Sequence, residues 1–174
     1  MPTAPAQGCI SPKNVRMRAL SMPDVSRYAE IIRRSFETVA KDFNLTRKNC
    51  PTHTSFISNA QLSAKFKDGY YPYGCYLDGL LVGFVSLTDQ GGGAYELNHL
   101  AIVPENRRCG LGKAMLDHCK ATVRTLDGYK ITISLLEENT TLKNWYLKND
   151  FVHTGTRRFE HLPFTVGFME WGVK

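Results

Sequence analysis

Arg107, Arg108, Gly110, Gly112 and Lys113 fall within the seven residues RRCGLGK. Glycines this close together let a backbone come near a ligand, and three cations surround them. The string lies between an apolar run, LNHLAIVPEN, and a helix-like run, AMLDHCKATVRTL, so it joins a strand to a helix. The first amides of a helix lack intrahelical acceptors, and the helix dipole places about half a positive charge there. The spacing therefore predicts an anion site, in which arginine can grip a phosphate with two parallel bonds. Neither G-x-G-x-x-G nor G-x-x-x-x-G-K-[ST] occurs, so the loop has neither of those two nucleotide-binding forms. Cys109, inside the loop, reads as a small filler residue, because a reactive thiol needs a lowered pKa.

The strand before the loop carries the next candidates. Strict alternation puts Glu96, Asn98, Leu100 and Ile102 on one face and Leu97, His99, Ala101 and Val103 on the other. A central strand is usually covered on both faces, and a buried charge without a partner is costly. Glu96 is therefore the first candidate for a proton acceptor, with a solvated charge at the strand start as its plain alternative. Glu138, at the end of the neighbouring strand, is the second. His99 has a suitable ordinary pKa near 6.5, but alternation turns it away from Glu96, and a structural role is expected.

These residues need elements to hold them. VRMRAL (15–20) alternates as a strand. Ser21 and Pro23 suit a helix start, and apolar spacing from Asp24 predicts an amphipathic helix to about Asp42, interrupted only by Ser35. A second helix is expected over 54–67, ending at KDG. YGCYL and LLVGFVSL flank Asp78-Gly79, a strong hairpin signal. A strand over 95–103, a helix over 111–125, a strand over 129–136 and a short helix over 140–150 follow. FVHTGTRRF and FTVGFMEWGV close the chain as two strands. The order β-α-α-β-β-β-α-β-α-β-β, without repeats or a linker, predicts one α/β domain over 13–174, preceded by a flexible Pro/Ala-containing lead-in over 1–12.

Composition bounds the rest. The chain has 174 residues, 43% hydrophobic and 22% charged, and a formal net charge of +6. That charge favours anionic partners. The cations are scattered, so no nucleic-acid arm is expected and a small phosphorylated ligand explains them as well. No apolar run reaches the ~20 residues that span a bilayer, and the first residues lack the pattern of a secretory signal. The five cysteines form no CxxC pair, so neither a disulfide framework nor a metal site is expected and a cytoplasmic location fits.

Arg107-x-x-Gly110-x-Gly112, within HLAIVPENRRCGLGKAML, resembles the R/Q-x-x-G-x-G/A pattern of the GNAT superfamily of acyl-CoA-dependent N-acetyltransferases. NTTLKNWYLKNDF (139–151) is similar to that family's second signature: Asn139, Tyr146 and Phe151 match, while Leu142, Trp145 and Asp150 replace its Ala, Leu and Gly. The resemblance implies a mixed, twisted central sheet of about six to seven strands flanked by about four helices, with acetyl-CoA as co-substrate and no metal. It implies that Arg107, Arg108, Cys109, Gly110, Leu111, Gly112 and Lys113 bind the pyrophosphate. Leu100, Ala101 and Ile102 would offer backbone groups to the pantetheine arm, entering where the strands at 95–103 and 129–136 splay apart. The amide near Leu100 or Ala101 would be the oxyanion donor. Asn139 would lie near the cofactor, with a helix N-cap as its plain role, and Tyr146 would be the general acid toward the CoA sulfur. Glu96 stands where many members carry a base.

The implied reaction is acetyl transfer to a primary amine, of a small molecule or a peptide. The acceptor would meet residues 44–56, 68–74 and 157–165. His53 in the first segment is expected to be structural, and Tyr70, Tyr71 and Tyr73 to pack as a satellite core. No nucleic-acid or membrane partner is implied, and a homodimer is compatible with the reading. The competing reading is a non-catalytic acyl-CoA-binding or sensory module on the same fold.

Overall fold

A computed structural model of the chain describes residues 14–173. The expected lead-in over 1–12, with Cys9, lies outside the described residues. Four helices and seven strands follow in the expected order: β1 (Val15–Ala19), α1 (Val25–Asp42), α2 (Asn59–Ser63), β2 (Tyr70–Leu77), β3 (Leu80–Gly91), β4 (Ala94–Ile102), α3 (Leu111–Thr125), β5 (Lys130–Leu136), α4 (Thr140–Lys148), β6 (Val152–Arg158) and β7 (Thr165–Gly172). The class is α/β with a mixed sheet in the order β1-β2-β3-β4-β5-β7-β6. No helix among the described residues is long and apolar enough to cross a membrane.

Local chemistry explains most boundaries. Asp78 and Gly79 both take positive φ, 49° and 84°, as a two-residue hairpin turn requires. Ser35, the polar residue on the apolar stripe of α1, is buried and donates from its hydroxyl to the Ile31 carbonyl at 2.7 Å. Its polarity is satisfied within its own helix. The second helix is shorter than expected. Residues Thr54–Phe56 form a separate 3-10 turn begun by His53, and Ser58 and Gln61 then make a reciprocal capping box that starts α2 afresh.

The two faces of the sheet are covered by different helices. Phe84 lies toward α1, where its ring is 6.1 Å from that of Tyr28. Its neighbour Gly83 lies toward α3, where a Cβ would come within 3.0 Å of the Met115 sulfur. Phe84, Leu87, Met115, Leu116 and Ile131 are fully buried in the main core, and burial of a side chain of this size contributes roughly 1.5–3 kcal/mol. Tyr70, Tyr71 and Tyr73 pack against this core. A second cluster joins Ala40, Leu45 and Cys50 to Phe43, Leu136, Leu162 and Phe164. It ties the loop after α1 to the loop between β6 and β7.

Candidate active site

The site begins where the sheet divides. β4 and β5 are the parallel pair, and they stay in register only at Ala94–Lys130, Tyr95–Ile131 and Glu96–Thr132. Beyond Glu96, β4 continues along β3 while β5 continues along β7, so a gap opens between two antiparallel halves. The backbone edge of β4 that faces this gap has no strand beside it after Glu96.

A bulge sits in the open part. Asn98 is opposite Ser86 and Ala101 opposite Phe84, so His99 and Leu100 together face Val85. The extra residue shifts the alternation by one. This corrects the strict-alternation reading. Ala101, not Ile102, shares the α1 face with Glu96 and Asn98, whereas Ile102 is opposite Gly83 on the α3 face. His99 takes φ 54°, a left-handed conformation that costs a non-glycine residue on the order of 1 kcal/mol. It therefore does not point away from Glu96. Its ring comes within 6.3 Å of Phe84 on the α1 face.

The glycine loop lies at the end of β4. A 3-10 turn, Pro104–Asn106, leads into it, and Arg108 and Gly110 take positive φ, 62° and 78°. Gly110 occupies the N-cap of α3. The first bond back into the loop is donated by the Ala114 amide to the Gly110 carbonyl at 3.0 Å. The amides of Cys109, Gly110, Leu111, Gly112 and Lys113 have no acceptor among the described residues. Consecutive free donors on a fifteen-residue helix are a ready cradle for a diphosphate. Gly112 lies against β4 and α4: a Cβ there would stand 3.5 Å from the Trp145 ring and 3.6 Å from Ile102 Cδ1.

The charged side chains around the loop are used in different ways. Lys113 pairs with Asp117 at 2.6 Å on an exposed helix face, which leaves its charge near the helix start. Arg107 turns inward. Its guanidinium donates to the Ile102 carbonyl at 3.0 Å, to the Thr38 hydroxyl at 2.9 Å and to the Ser35 carbonyl. In this structure the side chain forms a bracket between α1 and the end of β4. Cys109 is half-buried, its thiol 3.5 Å from the Arg107 carbonyl.

α4 presents Asn139 and Tyr146. The Asn139 side chain accepts from the Leu142 amide at 3.1 Å, so it caps the helix. Tyr146 is 5% exposed and is flanked by the rings of Trp145 at 4.9 Å and Phe151 at 5.1 Å. Burial, with a smaller effect of Cys119, pushes its phenol well above the ordinary range. It stays protonated at any working pH.

Glu96 is half-buried. The Asn98 side-chain amide stands 3.4 Å from Glu96 Oε2, from the Glu96 carbonyl and from the Thr88 hydroxyl. Glu138, the second choice for a base, is otherwise employed: it accepts from the Thr165 amide at 2.9 Å. Burial alone would raise its pKa, but the Thr165 amide, its own backbone and Arg158 outweigh that and hold it below the usual range. Glu137 is held low chiefly by Lys143, with His153 also bonded to it. Glu137 thus ties the end of β5 to α4 and β6, and Glu138 ties it to the start of β7.

His99 is the residue that sequence reasoning set aside. Its Nδ1 is buried without a hydrogen-bond partner. Burial first, and the charge of Lys65 second, lower its pKa to about 4. The rest of the ring lines a cavity of about 460 Å³ with Thr52, His53, Phe56, Gln61 and Lys65. His53 is bonded to the Ser55 hydroxyl at 2.8 Å, as its expected structural role requires, and its pKa is also lowered by burial. A neighbouring cavity of about 560 Å³ shares Phe56 and is lined by Arg33, Arg34, Glu37 and Lys41. Residues 44–56 thus contribute to both cavities, while 68–74 enter β2 and the core. Among the described residues no group of His, Cys, Asp and Glu is placed to hold a metal ion.

A family model for the acetyltransferase (GNAT) domain matches residues 40–167. Among solved structures, the chain is similar to the PaiA N-acetyltransferase of Thermoplasma acidophilum in complex with coenzyme A, with a TM-score of 0.78 and 18% identity over 92% of this chain and 99% of that one. It is similar to the ribosomal-protein-S18-alanine N-acetyltransferase of Escherichia coli, with a TM-score of 0.75 and 15% identity over 92% and 94%. A third neighbour is a spermidine N-acetyltransferase chimera from Vibrio cholerae and hSSAT, with a TM-score of 0.69 and 16% identity over 91% and 95%. At these identities the likeness is one of fold. No curated protein matches the chain in sequence.

Proposed function

The chain belongs to the GNAT family of acetyltransferases, whose acetyl donor is acetyl-CoA, and on that premise we propose that it acetylates a primary amine by direct attack. The observation that carries this reading is the run of unpaired amides at 109–113, at the end of the strand that borders the gap. Those amides would hold the pyrophosphate, with Lys113 adding charge. The bound donor supplies an activated acetyl group. The backbone amide of Leu100 or Ala101, re-aimed by the bulge, donates toward the thioester carbonyl.

Two residues are proposed for proton transfer to and from the reacting groups. Tyr146 donates toward the leaving sulfur, and a phenol that remains protonated suits a donor. Glu96 receives the amine proton. His99 competes for that role, because it is neutral at pH 7 and lines the neighbouring cavity. The relatives named above act on different amines, a ribosomal protein's alanine and spermidine among them, so the family does not choose the acceptor. The deciding experiment is CoA release from acetyl-CoA across an amine and peptide panel. Amine-dependent release is expected; binding of acetyl-CoA without release for any member of the panel would favour a binding module.

A further inference from the structure

The cavity beside His99 has an uneven charge. Among the described residues that line it, Lys65 is the one formally charged side chain, and none is a carboxylate. Lys65 makes no ion pair among the described residues. The other polar lining is rich in donors. Gln61 spends its carbonyl oxygen on the Ser58 amide at 2.8 Å, which leaves its NH₂ group to the cavity side of the balance. Thr52 and Thr54 bring hydroxyls, and His53 and His99 are neutral imidazoles.

The adjoining cavity reinforces this sign. Arg33, Arg34 and Lys41 line it against one carboxylate, Glu37. Arg34 is paired with Glu105 and Lys41 with Glu37. Arg33 donates to the Ile57 carbonyl at 2.9 Å and faces Asn59 Oδ1 at 3.4 Å. Those partners are neutral, so the Arg33 charge is uncompensated. A surplus of like charges raises the local potential and concentrates anions.

We propose that the acceptor is a small amine carrying an oxyanion, carboxylate or phosphate, and that Lys65 with the donor-rich lining of this cavity reads that oxyanion. The inference rests on the acetyl-transfer reading. The volume suits a small ligand. A diamine or polyamine would bring a second ammonium toward Lys65 with no carboxylate to receive it. The attraction passes through a partly solvated rim, so it weakens with salt.

The test is CoA release at saturating acetyl-CoA with four acceptor sets of matched chain length: amino carboxylates, aminoalkyl phosphates, neutral monoamines and diamines or polyamines. At least one oxyanion-bearing set should show a KM at least tenfold below the neutral monoamines, and the first two sets decide which oxyanion is read. Lys65→Ala should raise that KM about tenfold with kcat nearly unchanged. Lys65→Arg should restore it, and Lys65→Glu should reverse the ranking. Equal or better use of polyamines, or a ranking unmoved by Lys65→Glu, would overturn the proposal. Titration of the same amines into the CoA-saturated protein separates the two failures. Oxyanion-dependent binding without turnover removes the acetyl-transfer reading alone, and absence of oxyanion-dependent binding removes this one.

Discussion

The guanidinium of Arg107 donates to the Thr38 hydroxyl of α1 at 2.9 Å, across 69 positions of the chain. With its bonds to the Ser35 and Ile102 carbonyls, it fastens the loop before α3 to the helix on the opposite face. Arg107→Ala removes three hydrogen bonds that a part-buried guanidinium makes and should cost about 2–4 kcal/mol. Denaturant unfolding measures that loss. CoA affinity, titrated on the folded fraction, should fall less than tenfold; a loss of a hundredfold or more with unchanged stability would return Arg107 to the phosphate. Arg107→Lys should recover little, since one ammonium cannot replace the planar fork.

The two loop glycines should respond differently. Gly110 has φ 78° with open space around it, so Gly110→Ala carries backbone strain of about 1–2 kcal/mol without a clash. Gly112 lies inside α3, and a methyl there would meet Trp145 and Ile102 at ordinary contact distance. Gly112→Ala should therefore be neutral or stabilising by up to about 1 kcal/mol. Gly110→Glu adds bulk and negative charge at the unpaired amides and should abolish the heat of CoA titration; an undiminished heat would remove the pyrophosphate assignment.

Tyr146→Phe should lower kcat by a factor of about 10²–10³ while the affinity for acetyl-CoA stays within a few fold. Because burial raises the phenol pKa, no limb of the pH–rate profile below about pH 10 should belong to it. A wild-type rate for the variant would end its role as proton donor.

The base is separable by pH. His99 titrates near 4 in the folded chain against an ordinary 6.5, so a profile governed by it stays flat through neutrality. Glu96→Gln and His99→Gln, each followed by kcat/KM from about pH 3 to 9, should single out one of them by the greater loss of rate. His99 also makes a prediction for stability. The unfolded chain takes up this proton as pH falls through 6.5, and the folded chain only near 4. Stability is thus whole above pH 6.5 and declines from there to about pH 4, by on the order of 2–3 kcal/mol. His53 and His118, lowered by burial, act in the same direction. Melting curves across this range should be flatter for His99→Gln, and an identical slope would show that the imidazole takes its proton freely in the native state.

Much of this architecture is legible in the residues. Asp78-Gly79, the amphipathic stripe of α1 and the glycines at 110 and 112 act through local geometry, so the sequence states them directly. The bulge at His99 and Leu100 is different. YELNHLAIV alternates only as far as His99, and the continuous apolar run after it fixes no face; the slip appears only when β3 sets the register on one side and β5 leaves on the other. Arg107 is obscured in the same way, because Ser35 and Thr38 become its partners only after α1 packs. The acceptor surface is least legible, since the charge of a cavity depends on which side chains fold together around it.

The short parallel seam has a mechanical consequence. β1 belongs to one half of the sheet and β7 to the other, so tension applied between the ends of the folded chain must cross three paired positions at Ala94–Glu96. The gap between β4 and β5 is thus also the place where the two halves of the sheet share the fewest backbone pairs. Anything bound across it acts as a rivet, and the force needed to tear the sheet becomes a gauge of occupancy.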